Sequence, residues 1–348
     1  MSGTVLTVRG PVEPALVGIA LMHEHLLIDL SREVLPPTDA DELRRFEAPI
    51  LQADLFDIGW SPEAFFSRAN TDLSDPAVAA EEAREFAAAG GGTIVELTPI
   101  GFRRDVRDLV RIADEAGLHV VAGTAFFSEA SLPPVAAGLD AQRLASILVA
   151  EFEDGIDGSG IRPGIIGEVG TGSPVSEWEA RSLHASVIAA RATGMALSIH
   201  LDRWQKEGLR VIDILEDAGA DPSRVVIGHL NATVDDPDYH LALARRGVVL
   251  GYDLCGSEVP RTAGRFPPRD EALVPVLRRL EAEGHASQVV LSHDLSFRTE
   301  YRRSGGRGYA HIPRRVVPLL FQAGVSASTV DKMLRRTPTR LLTLAPVA

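Results

Sequence analysis

Short apolar, β-rich runs alternate along this chain with longer stretches of helical period. Eight runs stand out: Ile19 to Met22, Thr93 to Leu97, His119 to Thr124, Gly164 to Gly167, Met195 to Ile199, Val225 to Gly228, Val248 to Tyr252, and Val289 to Ser292. Most are apolar throughout, as strands covered on both faces by helices must be. The stretches between them have readable helix ends. Asp75-Pro76 offers a cap and a first-turn proline for a helix stopped by Gly90, and Ser176 with Glu179 forms a capping box for one running to Gly194. Pro237 to Arg246 and Glu271 to Glu283 each stop at a glycine, and Ser328 with Asp331 predicts the start of a last helix. Eight strand and helix units predict the α/β class, as a closed (β/α)8 TIM barrel with residues 1–348 as a single domain. The segment from Asp29 to Leu73 exceeds a simple strand-to-helix loop, which predicts small helices laid over part of the barrel mouth.

The polar residues gain meaning from where they fall on this frame. Six ionisable residues lie at or one step past the C-terminal ends of five strands: His23 and His25, Glu168, His200, His229, and Asp294. In a (β/α)8 barrel those ends converge on the face where active sites lie. Side chains alternate along a strand, so His23 and His25 point one way and Glu24 another. Four imidazoles and two carboxylates on one spot form a ligand set for two divalent ions, with zinc as first candidate and manganese or cobalt as alternatives. His23, His25 and Asp294 would hold one ion and His200 with His229 the other, while Glu168 gives one oxygen to each. A bridging hydroxide, its pKa lowered toward about 7, would be the nucleophile. The remaining histidines lie at strand starts, in helices or in loops, or alternate away as His293 does, and are read as structural; His311 is undecided.

Composition narrows the partners. A formal net charge of −13 argues against nucleic acid and anionic membranes, which are bound through basic patches. A small-molecule substrate is expected, and a homodimer is left open. Cys255 is the only cysteine, which excludes an intrachain disulfide framework, and it is read as a small buried side chain. The start MSGTVLTVRGPVEP has no apolar signal region, so the expected location is cytoplasmic. No GxxxxGK[ST], GxSxG, strand-to-helix GxGxxG or HExxH motif points to other chemistry.

The segments LMHEHLLID, GGGTIVELTPIGFRRD, GLHVVAGTAFF, IIGEVGTG, SRVVIGHLN, VVLSHD and GGRGYAHI, in this order, resemble the phosphotriesterase-like family of the amidohydrolase superfamily. The resemblance implies a (β/α)8 barrel, a binuclear metal centre and the same ligand assignments. Well-known members bridge their ions with a carboxylated lysine after the fourth barrel strand, whereas this chain has Glu168 there. That departure resembles the branch of phosphotriesterase homology and phosphotriesterase-related proteins. Two further departures are Asn231 and Ala232 where some members carry a relay aspartate, and Phe126-Phe127 where lactonases of the family tend to have tyrosine.

The expected function is metal-dependent hydrolysis of a carboxylic ester, lactone or amide, with Asp294 as the catalytic proton acceptor. Phosphoric ester hydrolysis, of phosphotriesterase or phosphatase type, is the alternative, and a non-catalytic metal- or ligand-binding barrel is the reading from another class. The stretch SFRTEYRRSGGRGY after the last barrel strand is locally cationic, and its glycines suggest a lid. Arg298 and Arg302 there, with Phe126 and Phe127, are the expected substrate contacts, which favours an anionic substrate. Each arginine has a plainer role open to it, pairing with Asp or Glu.

Overall fold

The computed structural model of the chain describes residues 3–31, 34, 36–60, 67–257 and 266–347. In chain order its strands are β1 (Val5–Thr7), β2 (Gly10–Val12), β3 (Ile19–Glu24), β4 (Gly91–Glu96), β5 (His119–Thr124), β6 (Ile165–Gly170), β7 (Leu197–His200), β8 (Val225–Ile227), β9 (Val249–Tyr252) and β10 (Val289–Leu291). Strands β3 to β10 coincide with the eight expected runs to within a few residues, and they pair in parallel in sequence order. The two ends of that order meet. The His23 N–H donates to Ser292 Oγ at 2.9 Å, and the Asp294 N–H donates to the His23 carbonyl at 3.1 Å. These bonds close the (β/α)8 barrel and remove the exposed edges an open sheet would leave.

Alternation along the strands sorts the apolar residues into two packed layers. Ala20, Val95, Val121, Ile165, Val226, Val249 and Val290 face inward and pack with Leu341 and Leu342 of the helix Thr337–Leu342. Their sequence neighbours, such as Leu21, Ile94, Val120, Ile166, Ile227 and Leu250, belong to the larger cluster shared with the surrounding helices. The helix caps follow the sequence. Asp75 accepts from the Ala77 and Val78 N–H groups, and Ser176 and Glu179 satisfy each other reciprocally. The last cap lies two residues earlier than expected: Ser326, not Ser328, accepts from the Thr329 N–H at 3.1 Å. The reason is spacing, because a cap hydroxyl must stand outside the helix to reach the third N–H inside it. The β1–β2 hairpin has no signature in the hydrophobic pattern. It is held by the chain's other end, where Val5 bridges Thr343.

Between Asp29 and Leu73 the described residues contain the helices Ala40–Glu47, Leu55–Trp60 and Arg68–Thr71. Ile58 packs on Phe297, just past β10, and the Thr299 N–H donates to Asn70 Oδ1 at 2.8 Å. The segment therefore covers part of the C-terminal mouth, as its length implies.

One buried carboxylate ties the barrel closure to that mouth. Glu24 accepts from Ser292 Oγ (2.8 Å), the His293 N–H (2.8 Å) and His293 Nδ1 (2.7 Å) through one oxygen, and from the Leu295 N–H (3.1 Å) through the other. Asp294 sits between the clamped residues. Glu24→Ala would strand several buried donors, each costing about 1–3 kcal/mol. The expected result is a loss of at least about 3 kcal/mol in urea unfolding; a loss below about 1 kcal/mol would show that the clamp is dispensable.

Candidate metal centre

Two irregularities in the sheet aim the central side chains. Leu21 pairs with Ile94 but Glu24 pairs with Glu96, so β3 carries one extra residue at the His23 position. Ile166 pairs with Leu197 but Val169 with Ile199, so β6 carries one extra residue beside Glu168. Such bulges re-aim side chains at barrel rims and next to active sites. At the ends of two other strands the backbone turns left-handed at His229 (φ 59°) and Asp294 (φ 51°). Non-glycine residues adopt that conformation only where surrounding contacts over-determine it. Here the contacts are the His229 N–H on Asp253 Oδ1 at 2.8 Å and the Asp294 N–H on the His23 carbonyl.

The six expected residues meet at one place. Glu168 Oε1 lies 3.3 Å from His25 Nε2, and its Oε2 lies 2.7 Å from His200 Nδ1 and 3.2 Å from His23 Nε2. Asp294 Oδ1 is 3.2 Å from His25 Nε2, and His229 Nε2 is 2.7 Å from His200 Nδ1. Donor atoms of His23, His25 and Asp294 lie within 4.8 Å of one another, as do those of Glu168, His200 and His229. All are buried except His200, whose side chain is 23% exposed.

The outward nitrogens of three histidines are already engaged. Asp253 accepts from His23 Nδ1 at 3.0 Å through one oxygen and from His229 Nδ1 at 2.9 Å through the other. His25 Nδ1 donates to Thr98 Oγ1 at 3.0 Å, and that hydroxyl donates onward to Glu96. Each ring therefore turns Nε2 inward, the arrangement by which carboxylates orient metal-binding histidines. His23 Nε2 is buried without a hydrogen-bond partner. A divalent ion satisfies an inward imidazole nitrogen of this kind, so the donor set fits divalent metal.

Electrostatics agree. Burial opposes a charge on His25, yet hydrogen bonds to Asp294 and Glu168 push it up to about 10. Burial likewise opposes a charge on His23, but Glu168 and Asp253 raise it well above the ordinary value. Against the same burial, His23 and His200 hold the Glu168 carboxyl well below the carboxylate range, and the hydrogen bond from His25 with the charge of His229 does so for Asp294. The site is a sink for positive charge.

The sequence profile of the phosphotriesterase family matches residues 3–342. The chain belongs to that family. N-acetyltaurine hydrolases of Xenopus tropicalis and Homo sapiens are 36% and 34% identical to it over 347 residues, covering 99% of each chain. Among solved structures, a resiniferatoxin-binding protein from Rhodobacter sphaeroides is similar with a TM-score of 0.93 at 34% identity, over 98% of this chain and 95% of the other. The phosphotriesterase homology protein of Escherichia coli, complexed with phosphate in its active site, has a TM-score of 0.78 at 28% identity, over 94% of this chain and 99% of its own. With these hydrolase relatives, this phosphotriesterase-family chain is a hydrolytic enzyme.

Its other expected contacts fare unevenly. Phe127 stands edge-on to His200, ring centroids 4.7 Å apart, but Phe126 alternates away and packs on Trp178 in the core. Arg302 does not reach the cluster: its guanidinium pairs with Glu85 on the helix Pro76–Ala88, and its N–H donates to Glu82. Arg298 is exposed and lines a cavity of about 200 Å³ with Asp72, Asp75 and Tyr301, away from the histidines. Arg303 pairs with Glu81, and Arg307 with Glu300 and the His293 carbonyl. The cationic stretch is thus pinned by Glu300 within it and by Glu81 and Glu85 far away in sequence, and this replaces the picture of a lid. Cys255 is buried, His311 pairs with Asp270, and Asn231 accepts from the Leu254 N–H. Lys206 pairs with Asp236, which leaves no lysine near Glu168.

Two residues escaped the sequence reading. Asp253 is one step past β9, so the strand-end rule would have found it. Arg203, three residues past His200, brings Nη2 to 3.8 Å from Asp294 Oδ2. There is also a reason for Gly228: a Cβ there would lie 2.8 Å from Asp253 Oδ2.

Asp253→Ala removes the acceptor of two ligand histidines and is expected to weaken metal affinity about 10- to 100-fold, measured by competition with a chromophoric chelator. Unchanged affinity would reduce Asp253 to a packing role. Metal uptake should also release protons. In the ion-free state His25 stays protonated below about 10, so a cation must displace that proton and apparent affinity rises with pH across the neutral range. Calorimetry in two buffers of different ionisation enthalpy should show at least about one proton released per chain; none released would contradict the raised histidines.

Proposed function

We propose that the chain is a binuclear metal-dependent hydrolase that cleaves the acyl–nitrogen bond of a small N-acyl compound. The observation that carries this reading is the pair of ligand trios packed around one buried carboxylate, Glu168. His23, His25 and Asp294 would hold one ion, His200 and His229 the other, with one Glu168 oxygen for each. Zinc, manganese and cobalt all suit imidazole and carboxylate donors. When bound, the ions supply Lewis acidity toward the acyl oxygen and a nucleophile from water near neutral pH.

The chain's own groups do the rest. Asp294, with Oδ1 3.2 Å from His25 Nε2, is the carboxylate that takes the proton from water and passes it to the departing nitrogen. The water oxygen bonds to the acyl carbon, the carbon–nitrogen bond breaks, and the products are a carboxylate and an amine. Phe127, against the most exposed ligand, His200, offers the acyl group an apolar wall. Preference for an amide is supported by the full-length similarity to N-acetyltaurine hydrolases, whose named substrate is an amide. A phosphoric ester is the second reading, favoured by the phosphate in the active site of the E. coli relative.

Elemental analysis of protein purified with zinc or manganese supplied should give about two ions per chain; less than about half an ion would refute the metal centre. On a panel of N-acyl amides, esters, lactones and phosphoric esters, amides should turn over fastest. Asp294→Asn should lower that turnover about 10²- to 10⁴-fold at matched metal content, whereas near-wild-type turnover would remove Asp294 from proton transfer.

A further inference from the structure

The arginines after β10 continue beyond the stretch that carries Arg302 and Arg307. Arg314 and Arg315 lie on the next helical segment, Ile312–Val316, and with Arg302 and Arg307 they line a second cavity of about 290 Å³. Among the described residues its one lining carboxylate is Glu85. Glycines bring these side chains together. The Gly306 N–H donates to the Tyr301 carbonyl and the Gly308 N–H to the Glu300 carbonyl, each at 2.9 Å, so the loop doubles back and returns Arg302 to the start of that helix. A Cβ at Gly306 would collide with the Glu300 carbonyl. None of the residues lining this cavity belongs to the metal centre.

The charges around the cavity are unevenly satisfied. Arg307, its side chain 6% exposed, is held at both ends, by Glu300 Oε1 at 2.7 Å and the His293 carbonyl at 2.8 Å. Arg303 turns to Glu81, and the buried Glu82 accepts the N–H groups of Arg302 and Arg303. Three guanidinium groups remain at the cavity, those of Arg302, Arg314 and Arg315, against Glu85. Arg302 and Arg314 converge on the same Glu85 oxygen, Oε2, with Arg314 Nη1 at 2.8 Å. Arg315 is exposed and has no ion pair among the described residues. One planar carboxylate does not fill three planar forks. A tetrahedral oxyanion does, because it presents oxygens in several directions and, as a phosphate monoester, carries about −1.5 to −2 at neutral pH.

The geometry points to a phosphate site in this cavity, taking inorganic phosphate or the phosphate group of a small soluble monoester. The volume of about 290 Å³ lies at the small end of ligand clefts, which run roughly from 300 to 1,000 Å³, so the ligand is compact. Glu85, its side chain 36% exposed, holds the anion's place in the free protein and competes with it for Arg302 and Arg314. Arg315 is the fork that the ligand alone fills. The site is separate from the metal centre and stands whichever bond that centre cleaves.

Calorimetric titration of the metal-loaded protein with inorganic phosphate and with glycerol 2-phosphate, at constant ionic strength, should give binding tighter than about 1 mM, with acetate bound more weakly. Phosphate also occupies the active site of the E. coli relative, so the cavity's share is the part that the double variant Arg314→Ala/Arg315→Ala weakens. That loss should be about 10- to 100-fold, the scale of hydrogen bonds to a charged group. Arg315→Ala alone, at an exposed position, keeps the fold and should weaken binding at least about threefold. Glu85→Gln should tighten it about two- to fivefold, the scale of one exposed ion pair. Glu283→Gln is the control. Glu283 also engages two arginines, Arg245 at 2.9 Å and Arg279 at 3.3 Å, outside this cavity, and its loss should leave phosphate affinity unchanged. Phosphate binding indifferent to both arginine variants, or raised equally by Glu85→Gln and Glu283→Gln, would overturn the site and leave a diffusely cationic surface. Binding to phosphatidate vesicles with no binding of either soluble phosphate would overturn the soluble ligand in favour of a lipid headgroup.

Discussion

Three carboxylates, Glu168, Asp253 and Asp294, are buried together at one end of the barrel, and the rest of the architecture answers to that fact. Removing an ionised carboxylate from water costs several kcal/mol even after relaxation, and neighbouring like charges add to it. Such a group persists only with cations or several N–H donors around it. The chain supplies both. Four imidazoles surround Glu168 and Asp294, and Asp253 takes three donors from His23 and His229. Without metal the balance requires protons on His23 and His25, which is why both are raised despite burial. A bound divalent cation would neutralise the same carboxylates directly and displace those protons.

Holding those charges in register asks more of the backbone than regular strands provide. A parallel strand offers an inward side chain at every second position, too coarse to converge six side chains on one spot. The extra residues at His23 and beside Glu168 and the left-handed turns at His229 and Asp294 fall at ligands, and they supply the missing freedom. Those at His23, His229 and Asp294 are held by hydrogen bonds to residues at the end of a neighbouring strand, and the Glu168 N–H donates to the Leu97 carbonyl at 3.1 Å. Barrel closure is part of the same device, since the bonds that join β10 to β3 also position His23 and Asp294. Fold and centre are therefore not separable here, and Glu24 belongs to both.

This dependence explains what could be read from the sequence. The barrel was legible because apolar runs and caps are local, and the meeting of the six candidate residues was legible because a strand end converts position in sequence into position on one face. Asp253, one step past β9, obeys the same rule. Phe126 and Phe127 illustrate the limit of adjacency: neighbours in an extended segment face opposite sides, so one lines the site and the other fills the core. The arginines after β10 illustrate a different limit. Four guanidinium groups in a short stretch look like an anion site, but Glu81, Glu85 and Glu300 engage three of them, two of these acids on a helix far away in sequence. Charge partners across the fold are invisible to local composition.

Arg203 is the converse case. It sits in no basic cluster, and nothing in LDRWQ marks it, yet the turn built on Asp202 brings it to the centre's open side. The relevant property is not charge density but where a single charge is held relative to a reactive group, and that depends on one short loop. A barrel of this kind can keep its inner half fixed, because the buried charges allow little variation there. The more open side, where His200 is 23% exposed and Phe127 stands edge-on to it, holds fewer buried charges and so tolerates more change.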